Sequence, residues 1–462
     1  MDDTCVNCLA PLSMLRSAQV PLLCCAALGL LAAVIVRRRG GEPDETWRRG
    51  ARVITGSRRL RRAARSAPLA LGGVAIPAAD EARHFKLIGT TGTGKSTAIR
   101  ALLAGALGRH DRAIVSDPDG GYLRRFYDRY RGDRILNPFE PRSDRWDLFG
   151  EIERPFDVEL LAGALVPGSQ DAAAGEWRGY ARTFFTAVTR ACHERGWQDT
   201  GRLWRLLVFA PGEELRPLLR DTPAQPFLEP DNARMFGSIR AVLASAIAAL
   251  EFVQAQRSVP LGVRDWIRHG RGVLFLPYQA TQIAALRGVI SAWLRLAIFE
   301  AMNGTEEVDQ RLWFVIDELD ALGAIDGLKD ALARLRKFGG RCVLGVQSIA
   351  QVSGTYGPPD AQTIVENCGN TLILRCSGSE QGGTSQFASR LIGEREVRRR
   401  QRTRGRDREG FGRQGARRSL QISEQVVTEA AVLPAELEQL PDLQGYFKTA
   451  SGRSWTRVRL ER

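Results

Sequence analysis

The segment 89–96, GTTGTGKS, decides the fold, because it matches the pattern G-x-x-x-x-G-K-[ST] in full. It follows the apolar run HFKLIG at 84–89 and opens a segment with helical spacing at 95–107. A glycine-rich loop between a buried strand and a helix lets backbone N–H groups surround a phosphate, and the helix N-terminus adds a favourable dipole. The segment therefore predicts a nucleotide-binding loop in a parallel α/β sheet.

The loop supplies the predicted cofactor-binding residues. Lys95 is expected to neutralise the β- and γ-phosphate oxygens, and the Ser96 hydroxyl is expected to ligate magnesium. We therefore predict ATP and Mg²⁺ as cofactors. The full predicted set is Gly89, Thr90, Thr91, Gly92, Thr93, Gly94, Lys95, Ser96 and Thr97.

A second motif, LWFVIDELD at 312–320, ends an apolar run in two adjacent acids. A central strand would deliver such a pair to the carboxyl edge of the sheet. Asp317 is expected to complete the magnesium site with Ser96, and Glu318 is expected to activate the attacking water. Downstream of a phosphate loop, this pair indicates hydrolysis and argues against a metabolic kinase or a small GTPase.

Three further residues have both a functional and a purely structural interpretation. Gln347 leaves a buried strand and could sense the γ-phosphate, or it could only cap that strand. Arg336, in the run ARLRKFGGR at 333–341, could reach a neighbouring subunit's phosphate as an arginine finger, or it could be solvated charge. Asp117 closes a strand and lies either near the site or only in the turn DPDGG.

The net charge of +14 is concentrated in two arginine-rich stretches, while the rest of the chain is about neutral. Each stretch, 37–66 and 395–419, carries eleven arginines against three acidic residues. Both are rich in Gly, Ser and Arg, and we predict a linker for the first and a loop for the second. Their functional interpretation is contact with anionic lipid or with nucleic-acid phosphate.

The run 18–36, AQVPLLCCAALGLLAAVIV, has no charged residue and is nineteen residues long. This length just spans a bilayer as a helix. Three arginines follow at 37–39, so the positive-inside rule places the bulk of the protein in the cytoplasm. A cleaved signal peptide is the weaker alternative, because the main basic cluster follows the apolar run. We predict one transmembrane helix and contact with the membrane.

Strand signals disappear between 157 and 256, where helical spacing dominates. The predicted fold class is thus α/β: a P-loop NTPase domain interrupted by an all-α domain and preceded by one N-terminal transmembrane helix. The predicted parts are a tail and membrane anchor at 1–39, a basic linker at 40–67, the nucleotide-binding domain at 68–156 and 257–462 with a basic loop at 395–419, and the all-α domain at 157–256.

Several segments together resemble the TraD-type coupling proteins of conjugative type IV secretion. They are GTTGTGKS, RWDLFGEI, EWRGYARTFF, FVIDELDALG, LARLRKFGGRCVLGVQSIAQVSGTYG and ENCGNTLILRC. The resemblance extends from about residue 68 to the end of the chain. It implies a RecA-like motor of the FtsK/HerA kind, a ring-shaped homo-hexamer and ATP-driven transfer of single-stranded DNA. It also implies docking to a relaxase–DNA complex and to inner-membrane parts of the secretion channel, and thus a bacterial inner-membrane location.

The resemblance carries over residue by residue for the catalytic set. Lys95 and Ser96 take the nucleotide-binding roles, Asp317 and Glu318 the acidic pair, Gln347 the glutamine, and Arg336 the inter-subunit arginine. Family members usually have two membrane helices, whereas this sequence shows one. Either this branch has lost a helix or the sequence starts late, which affects the periplasmic contacts and leaves the motor unchanged.

Three alternatives remain beside DNA coupling. A chromosome translocase of the FtsK/HerA kind shares the motor, but it normally brings several membrane helices and a C-terminal winged helix. A membrane-tethered scaffold with a degenerate loop conflicts with the presence of every motif residue. A type IV secretion receptor ATPase for protein cargo shares the fold, and the sequence leaves this option open.

Overall fold

The structure is a computed structural model that describes residues 45–56, 58–169, 171–304, 311–380, 382–407 and 417–461. These residues fall into two compact units, 45–50 with 394–429 and 51–393 with 430–461. The predicted membrane helix at 18–36 lies outside the described residues. Within the described ranges, no single helix is long and apolar enough to cross a bilayer, and one bent pair, Pro230–Ala246 with Ala249–Ala255, passes by length and composition only.

Strands form at the apolar runs that the sequence indicates and also within the two arginine-rich stretches. The described strands are β1 (Glu45–Gly50), β2 (Val53–Thr55), β3 (Ala70–Leu71), β4 (Val74–Ala75), β5 (Phe85–Ile88), β6 (Arg112–Pro118), β7 (Arg134–Ile135), β8 (Arg145–Trp146), β9 (Pro260–Leu261), β10 (Val273–Tyr278), β11 (Leu312–Ile316), β12 (Gly340–Val346), β13 (Asn370–Ile373), β14 (Glu394–Asp407), β15 (Arg417–Ala430), β16 (Gln444–Lys448) and β17 (Trp455–Arg459).

A ten-stranded sheet forms the centre of the larger unit, in the order β2-β17-β16-β13-β5-β12-β11-β6-β10-β7. The strands from β13 to β7 run parallel, while β16 pairs antiparallel with both β13 and β17. In a parallel sheet the carboxyl ends of neighbouring strands meet at one edge, where ligands bind. The order therefore places β12 between β5, which leads into the phosphate loop, and β11, which leads into the acidic pair.

Apolar side chains alternate between the two faces of this sheet, as the two-residue period of a strand requires. On β11, Trp313 and Val315 join one buried cluster, whereas Phe314 and Ile316 join the other. Both faces are covered, which is why these strands read as continuous hydrophobic runs. This arrangement confirms the predicted α/β class.

Helices cover both faces of the sheet and make up the segment after β8. The described α-helices are α1 (Arg58–Ser66), α2 (Ala78–Glu81), α3 (Lys95–Gly108), α4 (Gly121–Phe126), α5 (Asp157–Leu165), α6 (Ala172–Glu194), α7 (Thr200–Val208), α8 (Gly212–Leu219), α9 (Ala233–Ala246), α10 (Ala249–Ala255), α11 (Val263–His269), α12 (Ile283–Asn303), α13 (Leu328–Arg334), α14 (Ile349–Tyr356), α15 (Pro358–Asn367), α16 (Gly383–Ile392) and α17 (Pro434–Glu438).

The segment from α5 to α10 contains helices and short 3₁₀ turns among its described residues. Its core is continuous with one face of the sheet, since Phe184 of α6 and Leu206 of α7 belong to the same buried cluster as Ile114 of β6 and Leu344 of β12. The helical segment is thus an insertion that packs on the sheet and shares its buried cluster.

The smaller unit is a three-stranded sheet in the order β1-β14-β15. Its strands β14 and β15 correct the prediction of a basic loop at 395–419, and the predicted basic linker at 40–67 contains β1, β2 and α1. The physical reason is pairing of charges across strands. Arg395 and Arg399 donate to Glu429 at 2.8 and 2.6 Å, and Arg400 donates to Glu424 at 2.8 Å. Composition alone does not show these partners, because they lie 24 to 34 residues away.

Candidate functional site

The predicted phosphate loop lies at the carboxyl end of β5 and closes on the N-terminus of α3. Gly92 and Gly94 have φ values of 77° and 117°, in the left-handed region that glycine adopts without strain. Space around Gly92 is open, because a Cβ built there would meet no heavy atom within 4 Å. The Thr93 hydroxyl donates to the Thr90 carbonyl at 2.7 Å and fixes the turn. The loop therefore presents its backbone towards open space, as a phosphate site requires.

Lys95 is buried at the base of this loop. Its ammonium donates to the carbonyls of Gly89 at 2.6 Å and Thr90 at 3.2 Å. Burial lowers the pKa of Lys95, and the carboxylates of Asp317 and Glu318 oppose that shift. The cation is thus held inside the loop, facing acids that lie two strands away in the sheet.

Ser96 and Asp317 come together although they are 221 residues apart in the chain. The Ser96 hydroxyl donates to Asp317 Oδ2 at 2.7 Å. The hydroxyl of Tyr122, a buried residue of α4, donates to the same oxygen at 2.7 Å. A hydroxyl and a carboxylate at this separation provide the oxygen donors that Mg²⁺ prefers. Ser96 and Asp317 are therefore the residues that would hold a magnesium ion.

Glu318 is linked to the phosphate loop through Gln347. The Gln347 amide Nε2 donates to Glu318 Oε1 at 2.9 Å, and its Oε1 accepts from the Thr91 hydroxyl at 3.2 Å. Burial raises the pKa of Glu318, and repulsion from Asp317 adds to that rise. Because β12 lies between β5 and β11, the glutamine that follows it reaches both sides of the site.

Gly345 of β12 allows the end of β11 to pass close by. A Cβ at this position would lie 1.9 Å from the Asp317 carbonyl oxygen. The Leu319 N–H donates to the Gly345 carbonyl at 3.2 Å, which fixes the turn that carries Asp317 and Glu318. The position of the acidic pair thus depends on a glycine in the neighbouring strand.

Replacing Gly345 with Ala should displace this turn. We expect a loss of at least about 2 kcal/mol in the free energy of unfolding, because the overlap is with backbone that cannot rotate away. Gly354→Ala is the matched control: a Cβ there meets nothing within 4 Å, and the helix α14 should gain slightly. Urea denaturation of both variants measures the difference, and equal stabilities would contradict the close approach.

Asp117 lies at the site but faces a helix. Its carboxylate accepts the N–H groups of Tyr122 at 3.0 Å and Leu123 at 2.7 Å, and so caps α4. Burial raises the pKa of Asp117 to about 6. Of its two interpretations, the structure favours a local structural one, with Asp117 fixing the helix that carries Tyr122.

Arg336 lies away from the other predicted residues. It is exposed in a 3₁₀ turn, Leu335–Phe338, that precedes β12, whereas Gln347 follows β12. The carbonyl of Leu332 in α13 accepts from His84, which precedes β5, at 2.8 Å, so this region lies at the amino edge of the sheet. Arg341 is buried and pairs with Glu81 at 3.4 Å. The chain's own nucleotide site is therefore formed without Arg336.

A cavity of about 970 Å³ opens beside the first turns of α3. Thr97, the last residue of the predicted binding set, lines it together with Leu443, Leu460, Arg457 and Arg459. Its lining is mixed, because the acidic side chains of Asp442 and Glu461 stand beside these apolar and cationic groups. It begins at the residue that follows Ser96 and thus continues the site beyond the phosphate loop.

The sequence interpretation missed Tyr122. The signal was the segment DPDGGY, in which a tyrosine follows the strand-ending acid by five residues. The direction of its side chain depends on how α4 is held, and that was not readable from periodicity.

Comparison with known proteins gives one coherent result. Residues 68–461 match the model of the family described as "Type IV secretion-system coupling protein DNA-binding domain". The chain is 30% identical to the coupling protein TraD of Escherichia coli K12 over 443 residues, which is 93% of this chain and 60% of TraD. It therefore spans less than two thirds of that relative's length.

Two solved structures are similar over most of the chain. The unbound bacterial conjugative coupling protein TrwBdeltaN70 is 32% identical with a TM-score of 0.78, covering 91% of this chain and 95% of that one. The plasmid coupling protein TrwB in complex with ADP and Mg²⁺ is 31% identical with a TM-score of 0.79, covering 91% and 96%.

Proposed function

The chain belongs to the type IV secretion-system coupling protein DNA-binding domain family, and from this premise we propose that it is an ATPase that couples DNA to a type IV secretion channel during conjugation. The observation that carries the proposal is the continuous contact path from the phosphate loop through Gln347 to Glu318. Such a path allows loss of the γ-phosphate to be transmitted from the site to the β12 strand end.

ATP with Mg²⁺ is the cofactor that these residues fit. TrwB, a protein of the same fold, has been solved with ADP and Mg²⁺. In this chain, Gly92 and Gly94 turn the loop backbone outward and Lys95 supplies the cation. Ser96 and Asp317 would hold the metal, which supplies charge neutralisation at the phosphates when bound. The cavity beside Thr97 would receive the ribose and base.

ATP hydrolysis needs a general base for the attacking water and a cation at the phosphate oxygens. The site offers both, together with a glutamine that contacts the base. Glu318 orients the attacking water and accepts its proton, which the rise in its pKa makes easier than for a solvated carboxylate. Lys95 stabilises negative charge on the β/γ oxygens. Gln347 holds Glu318 in place through a hydrogen bond to one carboxylate oxygen, and so leaves the other for water.

The arginine finger has to come from a neighbouring subunit. Arg336 is exposed at the amino edge of the sheet, remote from its own carboxyl-edge site. A head-to-tail ring would bring one subunit's edge to the next subunit's site. We therefore propose a homo-hexameric ring in which Arg336 acts in trans, with relaxase-bound single-stranded DNA as cargo and a single-pass inner-membrane attachment through 18–36.

Single-stranded DNA should bind without strong sequence preference, because contacts to backbone phosphate carry no sequence information. In fluorescence anisotropy, labelled strands of equal length and unrelated sequence should differ little in affinity. Binding should fall by about tenfold or more between 50 and 200 mM salt. Single strands should also stimulate ATP turnover.

The alternative of a receptor for protein cargo predicts the opposite pattern. In that case ATP turnover would be indifferent to single-stranded DNA, and binding would be absent at low salt. A marked preference for one sequence, or affinity that salt leaves unchanged, would instead contradict the phosphate-contact model.

A further inference from the structure

We propose that Tyr122 is a positioning residue for the magnesium shell, which acts by holding the Asp317 carboxylate against Ser96. The proposal rests on the proposed function, since it concerns the same nucleotide site. None of the sequence motifs includes Tyr122, and its hydroxyl reaches the site by donating to Asp317.

The contact geometry at Asp317 carries the inference. Oδ2 of this carboxylate accepts two hydroxyls, Ser96 Oγ at 2.7 Å and Tyr122 Oη at 2.7 Å. The serine comes from the phosphate loop, while the tyrosine comes from α4. With donors from two different elements, the carboxylate has one preferred rotation. A carboxylate that serves a metal depends on such outer partners for its orientation.

Tyr122 is itself held in place by burial and by the capping of its helix. Its side chain is 2% exposed and belongs to the buried cluster on one face of the sheet. Its own N–H donates to Asp117 Oδ1 at 3.0 Å, and the Leu123 N–H donates to Oδ2 at 2.7 Å. Asp117 lies on β6, which pairs directly with β11 through Ser116 and Ile316. The hydroxyl is therefore fixed relative to the strand that carries Asp317.

The Tyr122 hydroxyl is the donor and the Asp317 carboxylate the acceptor of the 2.7 Å hydrogen bond. A neutral phenol beside a carboxylate donates a charge-assisted hydrogen bond, which is stronger than one between neutral groups. It steadies the carboxylate without adding a cation that would compete with Mg²⁺.

Tyr122→Phe removes the hydroxyl and keeps the buried ring. Mn²⁺ serves as the probe, and its dissociation constant from the protein–ADP complex is measured by electron paramagnetic resonance. We expect this constant to rise about tenfold, at the lower end of the effect of losing a partner of a metal-binding residue. The Mg²⁺ concentration that gives half-maximal ATP turnover should rise in parallel. Turnover at saturating Mg²⁺ should stay within about twofold of wild type.

Tyr127→Phe is the matched control. Tyr127 follows α4, its ring packs on Phe275 with centroids 6.4 Å apart, and it has no contact with Asp317. This variant should leave the Mn²⁺ constant unchanged. Circular dichroism and thermal unfolding of both variants show whether each is folded at the assay temperature.

A double-mutant cycle separates positioning from packing. In an Asp317→Asn background, Tyr122→Phe should have little further effect on the Mn²⁺ constant, because the two residues act as one unit. Equal Mn²⁺ constants for wild type and Tyr122→Phe would overturn the inference and leave Tyr122 as a core residue. Wild-type protein that binds no Mn²⁺ with ADP would instead contradict the proposed function, so the two failures are distinct.

Discussion

Glu318→Gln should lower ATP turnover by about 10³-fold, within the range for losing a general base, while ATP binding is retained. The amide cannot accept the proton of the attacking water. It keeps the carbonyl-type oxygen that accepts from Gln347 Nε2, so the contact path through β12 survives. Turnover measured by phosphate release and affinity measured with a fluorescent ATP analogue give the two quantities. DNA transfer in a conjugation assay should fall with turnover.

Asp320→Asn is the matched control for this prediction. Asp320 lies two residues further along the same turn, and its charge contributes to the raised pKa of Glu318 without contacting Gln347. Removing that charge should lower the pKa of Glu318 slightly and should retain most of the turnover. If Glu318→Gln hydrolyses ATP at the wild-type rate, or if Asp320→Asn loses as much as Glu318→Gln, then Glu318 is not the base.

Arg336→Ala should bind ATP normally and hydrolyse it about 10³-fold more slowly, the lower end of the effect of an arginine finger. The exposed guanidinium lies at the amino edge of the sheet, so it can stabilise charge on the γ-phosphate only across a subunit interface. Each interface of a ring then joins one subunit's Lys95 to the next subunit's Arg336. Steady-state ATP turnover with purified protein measures this loss.

Mixing the Arg336→Ala and Lys95→Ala proteins tests action in trans. Mixed rings contain interfaces that have both an intact Lys95 and an intact Arg336, so part of the turnover should return. Arg334→Ala is the matched control, since Arg334 is also exposed and two residues away. Arg341 cannot serve as one, because it is buried against Glu81 and its loss would disturb the core. Co-assembled mixtures without recovery at any ratio would contradict a finger at Arg336.

The sequence by itself determined those functional residues that lie together in one continuous segment of the chain. The loop 89–96 needs a strand before it and a helix after it, and both neighbours are readable from local periodicity. The same holds for Asp317 and Glu318, which end a fully apolar run. Such runs indicate a sheet buried on both faces, and β11 has side chains in both buried clusters.

Only the tertiary structure decided which strand ends meet. Gln347 bridges Thr91 and Glu318 because β12 lies between β5 and β11, and this order depends on hydrogen bonds between residues far apart in sequence. The contact of Tyr122 with Asp317 spans 195 residues and depends on how Asp117 caps α4. Composition likewise predicted loops where Glu424 and Glu429 pair the arginines into strands. Periodicity records which face of an element is buried, whereas strand order and charge pairing arise only when distant segments come into contact.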